Sequence, residues 1–107
     1  MKEKSYDLFF KAFSNNNRFE IIKLLRKKPM SVSEIIEKTG FEQSRISHNL
    51  KCLESCGFVD AKQNGKQRIY ELDKKHIIPI LKEIDKHLQS YNKRLVSCGV
   101  IKWKDMI

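Results

Sequence analysis

The chain is short of several things, and each shortage narrows what it can be. Nowhere do apolar residues run for the roughly 20 positions that a bilayer-spanning helix needs. The opening stretch, MKEKSYDLFFKAF, has acidic residues and only a short apolar run, which makes it a poor secretory signal. A cytoplasmic protein without a membrane partner is therefore expected. Cysteine occurs only three times. An odd number in a cytosolic chain argues against a disulfide framework and leaves reactive thiols, metal ligands or core residues. Histidine also occurs three times, and G-x-G-x-x-G, the P-loop, H-E-x-x-H and G-x-S-x-G are all missing. Catalysis is not expected. No internal repeat, linker or low-complexity segment interrupts the 107 residues, so 1–107 reads as one domain. Acidic residues are the scarcer charge: 13 Asp and Glu face 22 Lys and Arg, for a formal charge of +9. That balance favours a polyanionic partner, nucleic acid or an anionic surface.

What is present centres on Phe41 to Val59, FEQSRISHNLKCLESCGFV. Ile46, Leu50 and Leu53 recur at spacings of four and three, as on one face of a helix. The opposite face carries Gln43, Ser44, Arg45, Ser47, His48 and Lys51. These are donors and acceptors crowded into the first turns, suited to reading base edges and gripping phosphate from a major groove. The plain alternative is a solvated helix face. Gly57 stands where a C-terminal cap is expected. Cys52 and Cys56, four apart, lie on nearly the same side of this helix and flank its apolar stripe.

The remaining elements come in order. Ser5 to Phe13 reads as a first helix with Tyr6, Phe9, Phe10 and Phe13 on one face, and Asn15 to Asn17 break it. Phe19 to Lys28 is a second helix, stopped by Pro29. Ser31 to Thr39 is a third, with Ser31 and Glu34 spaced as a capping box and Gly40 closing it. After Gly57 the period changes. FVDAKQ and KQRIYEL read as two strands around an Asn64-Gly65 turn. Asp73 can cap the final helix, an amphipathic one from Ile77 to Val96 whose apolar positions are Ile77, Ile80, Leu81, Ile84, Leu88, Tyr91 and Leu95. Pro79 is tolerable near its start.

This order predicts a mainly α fold with a β-hairpin wing, the winged helix-turn-helix arrangement ααααββα. Its fourth helix would enter the major groove, and its hairpin tip, bearing Asn64, Lys66 and Arg68, would lie on phosphate or minor groove.

On these residues the chain resembles the ArsR/SmtB-type transcriptional repressors. The resemblance is carried by FKAFSNNNRFEIIKLL, by SVSEIIEKTGFEQSRISHNLKCLESCGFV and by NGKQRIYEL. It implies a homodimer built from the first and last helices, a double-stranded operator DNA partner, and release of that DNA on binding an inducer. Glu42 departs from the usual Ser-like cap, although an acidic side chain suits a helix N-terminus.

Where the family places metal sites decides what the inducer could be. The positions of its Cys-x-Cys motif on the third helix are Ser31 and Ser33 here, so that site is absent. His76 and His87 resemble half of its carboxylate-histidine site on the last helix, but Lys74 and Ser90 occupy the other positions. Cys52, Cys56 and Cys98 match the CmtR-like cadmium and lead sensors. The resemblance implies that Cys98 comes from the partner protomer. Three thiolates suit a soft ion or metalloid, cadmium, lead or arsenite, with zinc the weaker fit. Two other readings stay open: a thiol redox-responsive repressor, and a winged-helix module that binds protein or RNA without a metal.

Overall fold

The computed structural model describes residues 3–97. Two helices come first, α1 (Glu3–Ser14) and α2 (Asn16–Lys27), followed by a two-residue strand, β1 (Met30–Ser31). Then come α3 (Val32–Thr39), α4 (Gln43–Ser55), the hairpin strands β2 (Val59–Asn64) and β3 (Gln67–Leu72), and the long α5 (Ile77–Ser97). The fold is mainly helical with a wing, as the sequence predicts. The element order is corrected by one strand, because β1 adds to the free edge of β3 and makes a three-stranded sheet ordered β1-β3-β2. Met30 pairs with Tyr70 and Ser31 with Ile69. Two residues are too few to carry a period, so nothing local announces this strand.

Several helix boundaries have a local cause in side-chain or backbone hydrogen bonds. Asn15 accepts the Arg18 backbone N–H at 3.0 Å and starts α2. At α3 the capping box forms: Ser31 Oγ accepts from the Glu34 N–H, and Glu34 Oε1 accepts from the Ser31 N–H, both at 3.2 Å. The latter bond holds the Glu34 carboxyl below the usual carboxylate range. Glu42 occupies the N-cap position of α4 but makes no side-chain cap hydrogen bond there. Gly57 closes α4 at φ 76°, with its N–H on the Glu54 carbonyl at 3.1 Å and the Phe58 N–H on the Leu53 carbonyl at 2.8 Å. This pair of bonds is the Schellman motif. Asp73 accepts from the N–H groups of His76 at 2.9 Å and Ile77 at 3.1 Å and organises the entry to α5. Burial raises its pKa, but these backbone donors outweigh that and hold the carboxyl below its ordinary value.

The wing turn is shifted by one residue from the Asn64-Gly65 reading. Asn64 pairs with Gln67, so the loop is Gly65-Lys66. A type I′ turn needs positive φ at both loop residues. Only Gly65 has it, at 63°, so Asn64 remains in the strand.

The core is one cluster. Ile21 and Ile22 of α2, Ile35 of α3, and Ile46, Leu50 and Leu53 of α4 are all fully buried, with Phe58 among them. Full burial of a side chain of this size contributes about 1.5–3 kcal/mol. The four aromatic residues of α1 do not act together. Phe9 and Phe13 pack on Phe58, with ring centroids 5.1 and 4.9 Å away. Tyr6 and Phe10 stay exposed, at 52% and 60%. On α5, Ile77 and Leu81 are buried, while Ile84, Leu88 and Tyr91 face outward. An ion pair between Arg26 of α2 and Asp85 ties α5 to the body. The hydrogen bond from Arg26 also lowers the Asp85 pKa.

Candidate functional site

The buried stripe of α4 fixes the rotation of that helix, so its other face must point to solvent. Gln43, Ser44, Arg45, Ser47, His48 and Lys51 are all exposed there. The Arg45 guanidinium lies over the Phe41 ring at 5.4 Å, which anchors its stem and leaves its donors outward. The α3–α4 turn is set by Gly40 at φ 73° and by Thr39, whose hydroxyl accepts the Phe41 N–H at 3.1 Å.

Sequence reasoning missed two residues that hold this helix in place. Asn49 lies inside the apolar stripe and is only 5% exposed. Its Oδ1 accepts from Arg18 Nε at 3.3 Å, which fastens α4 to α2. The signal was an amide beside Leu50, at helical spacing from Ile46 and Leu53 of the apolar stripe. A buried polar group of this kind must find a partner.

On the wing, Asn64, Lys66 and Arg68 are exposed as well. They are not equivalent. Arg68 donates to Glu54 of α4, with Nη2 3.1 Å from Oε2, and its guanidinium lies 5.8 Å from the Tyr70 ring centre. The wing is thus clasped to α4. Lys66, Gln67 and Arg68 also share a shallow pocket with Ser31, Val32 and Ser33 at the start of α3.

The two described thiols occupy a different place. Cys52 is half-buried, Cys56 is exposed, and both are free. Neither belongs to the core cluster. They line a 590 Å³ cleft between α4 and the first two helices, with Leu8, Lys11, Arg18, His48, Lys51 and Ser55. Cys52 Sγ lies 3.8 Å from His48 Nε2. Cys98 and the Leu95 side chain lie outside the described residues. Among the described residues, no three His, Cys, Asp or Glu side chains are already gathered as a metal site. His76 sits 3.7 Å from Asp73, and His87 packs on the Tyr91 ring at 4.7 Å. His76 thus sits in the turn that leads into α5, and His87 on the surface of α5.

Two helices joined by a tight turn, the second presenting an exposed polar face, and a hairpin clasped to that helix define a winged helix-turn-helix protein. A family model described as bacterial regulatory protein, arsR family, matches residues 15–61, from the start of α2 into the wing. The chain belongs to this family, which is one of regulatory proteins and not of enzymes. It is 34% identical over 84 residues to an uncharacterized HTH-type transcriptional regulator, MJ1325, of Methanocaldococcus jannaschii, spanning 78% of this chain and 93% of that one. It is 31% identical over 64 residues to a probable mercury resistance operon repressor of Streptomyces lividans. That match covers 60% of this chain and 51% of the relative, so the chain spans about half of that protein's length. The crystal structure of Mycobacterium tuberculosis Rv0081 superposes with a TM-score of 0.75 at 31% identity, covering 94% of this chain and 100% of the other.

Proposed function

We propose that the protein is a homodimeric, cytoplasmic repressor. It grips double-stranded operator DNA with α4 and the wing, and lets go when Cys52, Cys56 and Cys98 bind a soft metal ion or metalloid of the cadmium, lead or arsenite kind. One observation carries the reading. The helix whose exposed face bears Gln43, Ser44, Arg45, Ser47, His48 and Lys51 also bears Cys52, has Cys56 as its C-cap, and is ion-paired to the wing. Reader and responder are one rigid element.

The donor chemistry fits such an inducer. Two free thiols and an imidazole border one cleft, and none of the three is locked in the core. A soft ion, when bound, supplies strong bonds to thiolate sulfur. Cys52 and Cys56 would hold it as thiolates, each giving up its proton to solvent. An ion held there would act on α4, whose tilt sets the distance between the two reading helices of a dimer. Half-sites must match a DNA repeat of about 34–36 Å or its multiples, so a small shift weakens the complex. Dimerisation is supported by the outward-facing Tyr6, Leu8 and Phe10 of α1 and Ile84, Leu88 and Tyr91 of α5. Among the described residues no helix is long and apolar enough to cross a membrane. A mercury repressor among the relatives makes a metal inducer reasonable.

The test has two arms. Ser47→Ala with His48→Ala should weaken operator binding by about 1–3 kcal/mol for each base edge that is no longer bonded. Wild-type affinity in a folded double variant would remove α4 as the reader. Changing each cysteine to serine should abolish inducer-driven release. A Cys98→Ser protein that still responds would reduce the site to Cys52 and Cys56.

A further inference from the structure

Three cations from three different helices border the 590 Å³ cleft: Lys11 of α1, Arg18 of α2 and Lys51 of α4. No carboxylate lines it. Elsewhere the cations often have acidic partners, as Lys23 has Glu20, Lys28 has Glu34 and Arg68 has Glu54. Among the described residues, Lys11, Arg18 and Lys51 have no carboxylate within ion-pair distance. Arg18 spends Nε on Asn49, a neutral amide, which leaves its terminal N–H groups for another partner. The cleft also has an apolar wall. Leu8 is 58% exposed and borders it, opposite the half-buried Cys52, and a free thiol behaves as a small hydrophobe. Tyr6 and Phe10 are each two residues from Leu8 and point to the other side of α1.

We propose that this cleft binds a small organic anion, an oxyanion group carried on an apolar body, and that its binding weakens the hold on DNA. The effect on DNA rests on the reading of α4 above; the binding site does not, and neither part needs a metal. Small-molecule sites are concave, about 300–1,000 Å³, and pair an apolar lining with a few charged groups that fix orientation. Here Leu8, Cys52 and the lysine stems supply the lining, and the cationic tips supply the orientation. A cleft with charges of one sign also concentrates counter-ions of the other.

A phosphate of the DNA backbone is the other source of an oxyanion. It fits less well, because a phosphodiester gains nothing from Leu8 and Cys52. Lys11, moreover, stands on α1, away from the first turns of α4 where the polar side chains crowd. Coupling between the two partners comes from shared residues. His48 and Lys51 belong both to the cleft and to the exposed face of α4. An anion that engages them withdraws two donors from DNA and sets negative charge beside its phosphates. The effect is reciprocal: whatever factor the anion takes from DNA affinity, DNA takes from the anion's.

The experiment titrates the reduced full chain, in metal-free buffer, with 1-naphthalenesulfonate and with uncharged 1-naphthalenemethanol. Backbone amide shifts locate each probe. The sulfonate should move Leu8, Lys11, His48, Lys51 and Cys52 and bind more tightly than the alcohol. Lys11→Gln should weaken the sulfonate by about 1.4- to 5-fold, the worth of an exposed charge pair, and leave the alcohol unchanged. Leu8→Asn should weaken both. Added to an operator complex, the sulfonate should lower DNA affinity, and Lys11→Gln should require more of it for the same effect. Equal binding of the two probes, or shifts gathered on Tyr6, Phe10 and Leu88, overturns the proposal. So does inorganic phosphate binding in the cleft as tightly as the sulfonate, which would leave a simple phosphate site. Weaker operator binding and a flatter salt slope in Lys11→Gln without any probe would assign Lys11 to the DNA backbone and overturn it as well. Sulfonate bound in the cleft of a wild type that has no operator affinity would support the pocket and overturn the DNA reading instead.

Discussion

Arg68 has two claims on it. In the free protein its guanidinium holds Glu54 across 3.1 Å, with the two side chains 52% and 40% exposed. As a cation on the wing it is also positioned to meet a phosphate. Each phosphate contact contributes a slope of about −0.9 to log affinity against log salt. Between 50 and 200 mM salt, a fourfold change, one contact is then worth a factor of about 3.5. Arg68→Ala should therefore lose about 3.5-fold less affinity than wild type over that range, on operator and scrambled duplex alike. Glu54 competes for the same guanidinium, and an exposed pair of this kind is worth about 0.2–1 kcal/mol. Glu54→Gln should tighten DNA binding accordingly, by about 1.4- to 5-fold. Repeating Glu54→Gln on Arg68→Ala measures bare repulsion between the carboxylate and phosphate, and the difference between backgrounds is the ion pair. Fluorescence anisotropy with labelled duplexes across the salt series gives every number. An unchanged salt slope in Arg68→Ala, or a loss confined to the operator, would refute phosphate contact and make Arg68 a base reader or a purely structural clasp.

Three further outcomes are expected. Gly57→Ala meets no atom within 4 Å of the added Cβ at φ +76, so only backbone strain of about 1–2 kcal/mol acts, partly offset by about 0.4–1 kcal/mol of unfolded-chain entropy. Urea unfolding should show a net loss near 1 kcal/mol, and an equally stable variant would contradict the cap assignment. The Asp73 carboxyl is held below its ordinary 3.8 in the fold, so its contribution is present above that pH and is lost as pH falls through the folded value. Asp73→Ala should accordingly be less stable than wild type near neutrality, with the gap closing in acid; a gap that grows in acid would reverse the sign of the argument. Leu88→Glu, at a position 39% exposed on α5, should turn a dimer into a monomer in sedimentation at micromolar concentration. A wild-type monomer at that concentration would remove the dimer from the proposal.

Much of the exposed face of α4 was legible because its signals are local. The Ile46, Leu50 and Leu53 stripe alone fixes which face of α4 is hidden, and all three are fully buried. Ser31 with Glu34, Gly57 and Asp73 mark element ends through bonds that reach no more than five residues along the chain. Such interactions depend only on spacing, so the one-dimensional pattern contains them.

Contacts between distant segments were a different matter. Whether Met30 and Ser31 form a strand depends on Tyr70 and Ile69 arriving beside them. The helical period of α1 groups Phe9 and Phe13 with Tyr6 and Phe10, and only the position of Phe58 separates the inward pair from the outward one. Arg18 finds Asn49 across 31 positions of sequence. The thiol cleft exists because α1 and α2 pack where Cys52, Cys56 and His48 emerge. Helical spacing dictated that these three side chains share an edge of α4. What faces that edge was decided by the packing of the whole chain, because burial rewards whichever distant surfaces happen to fit and leaves no periodic trace in either one.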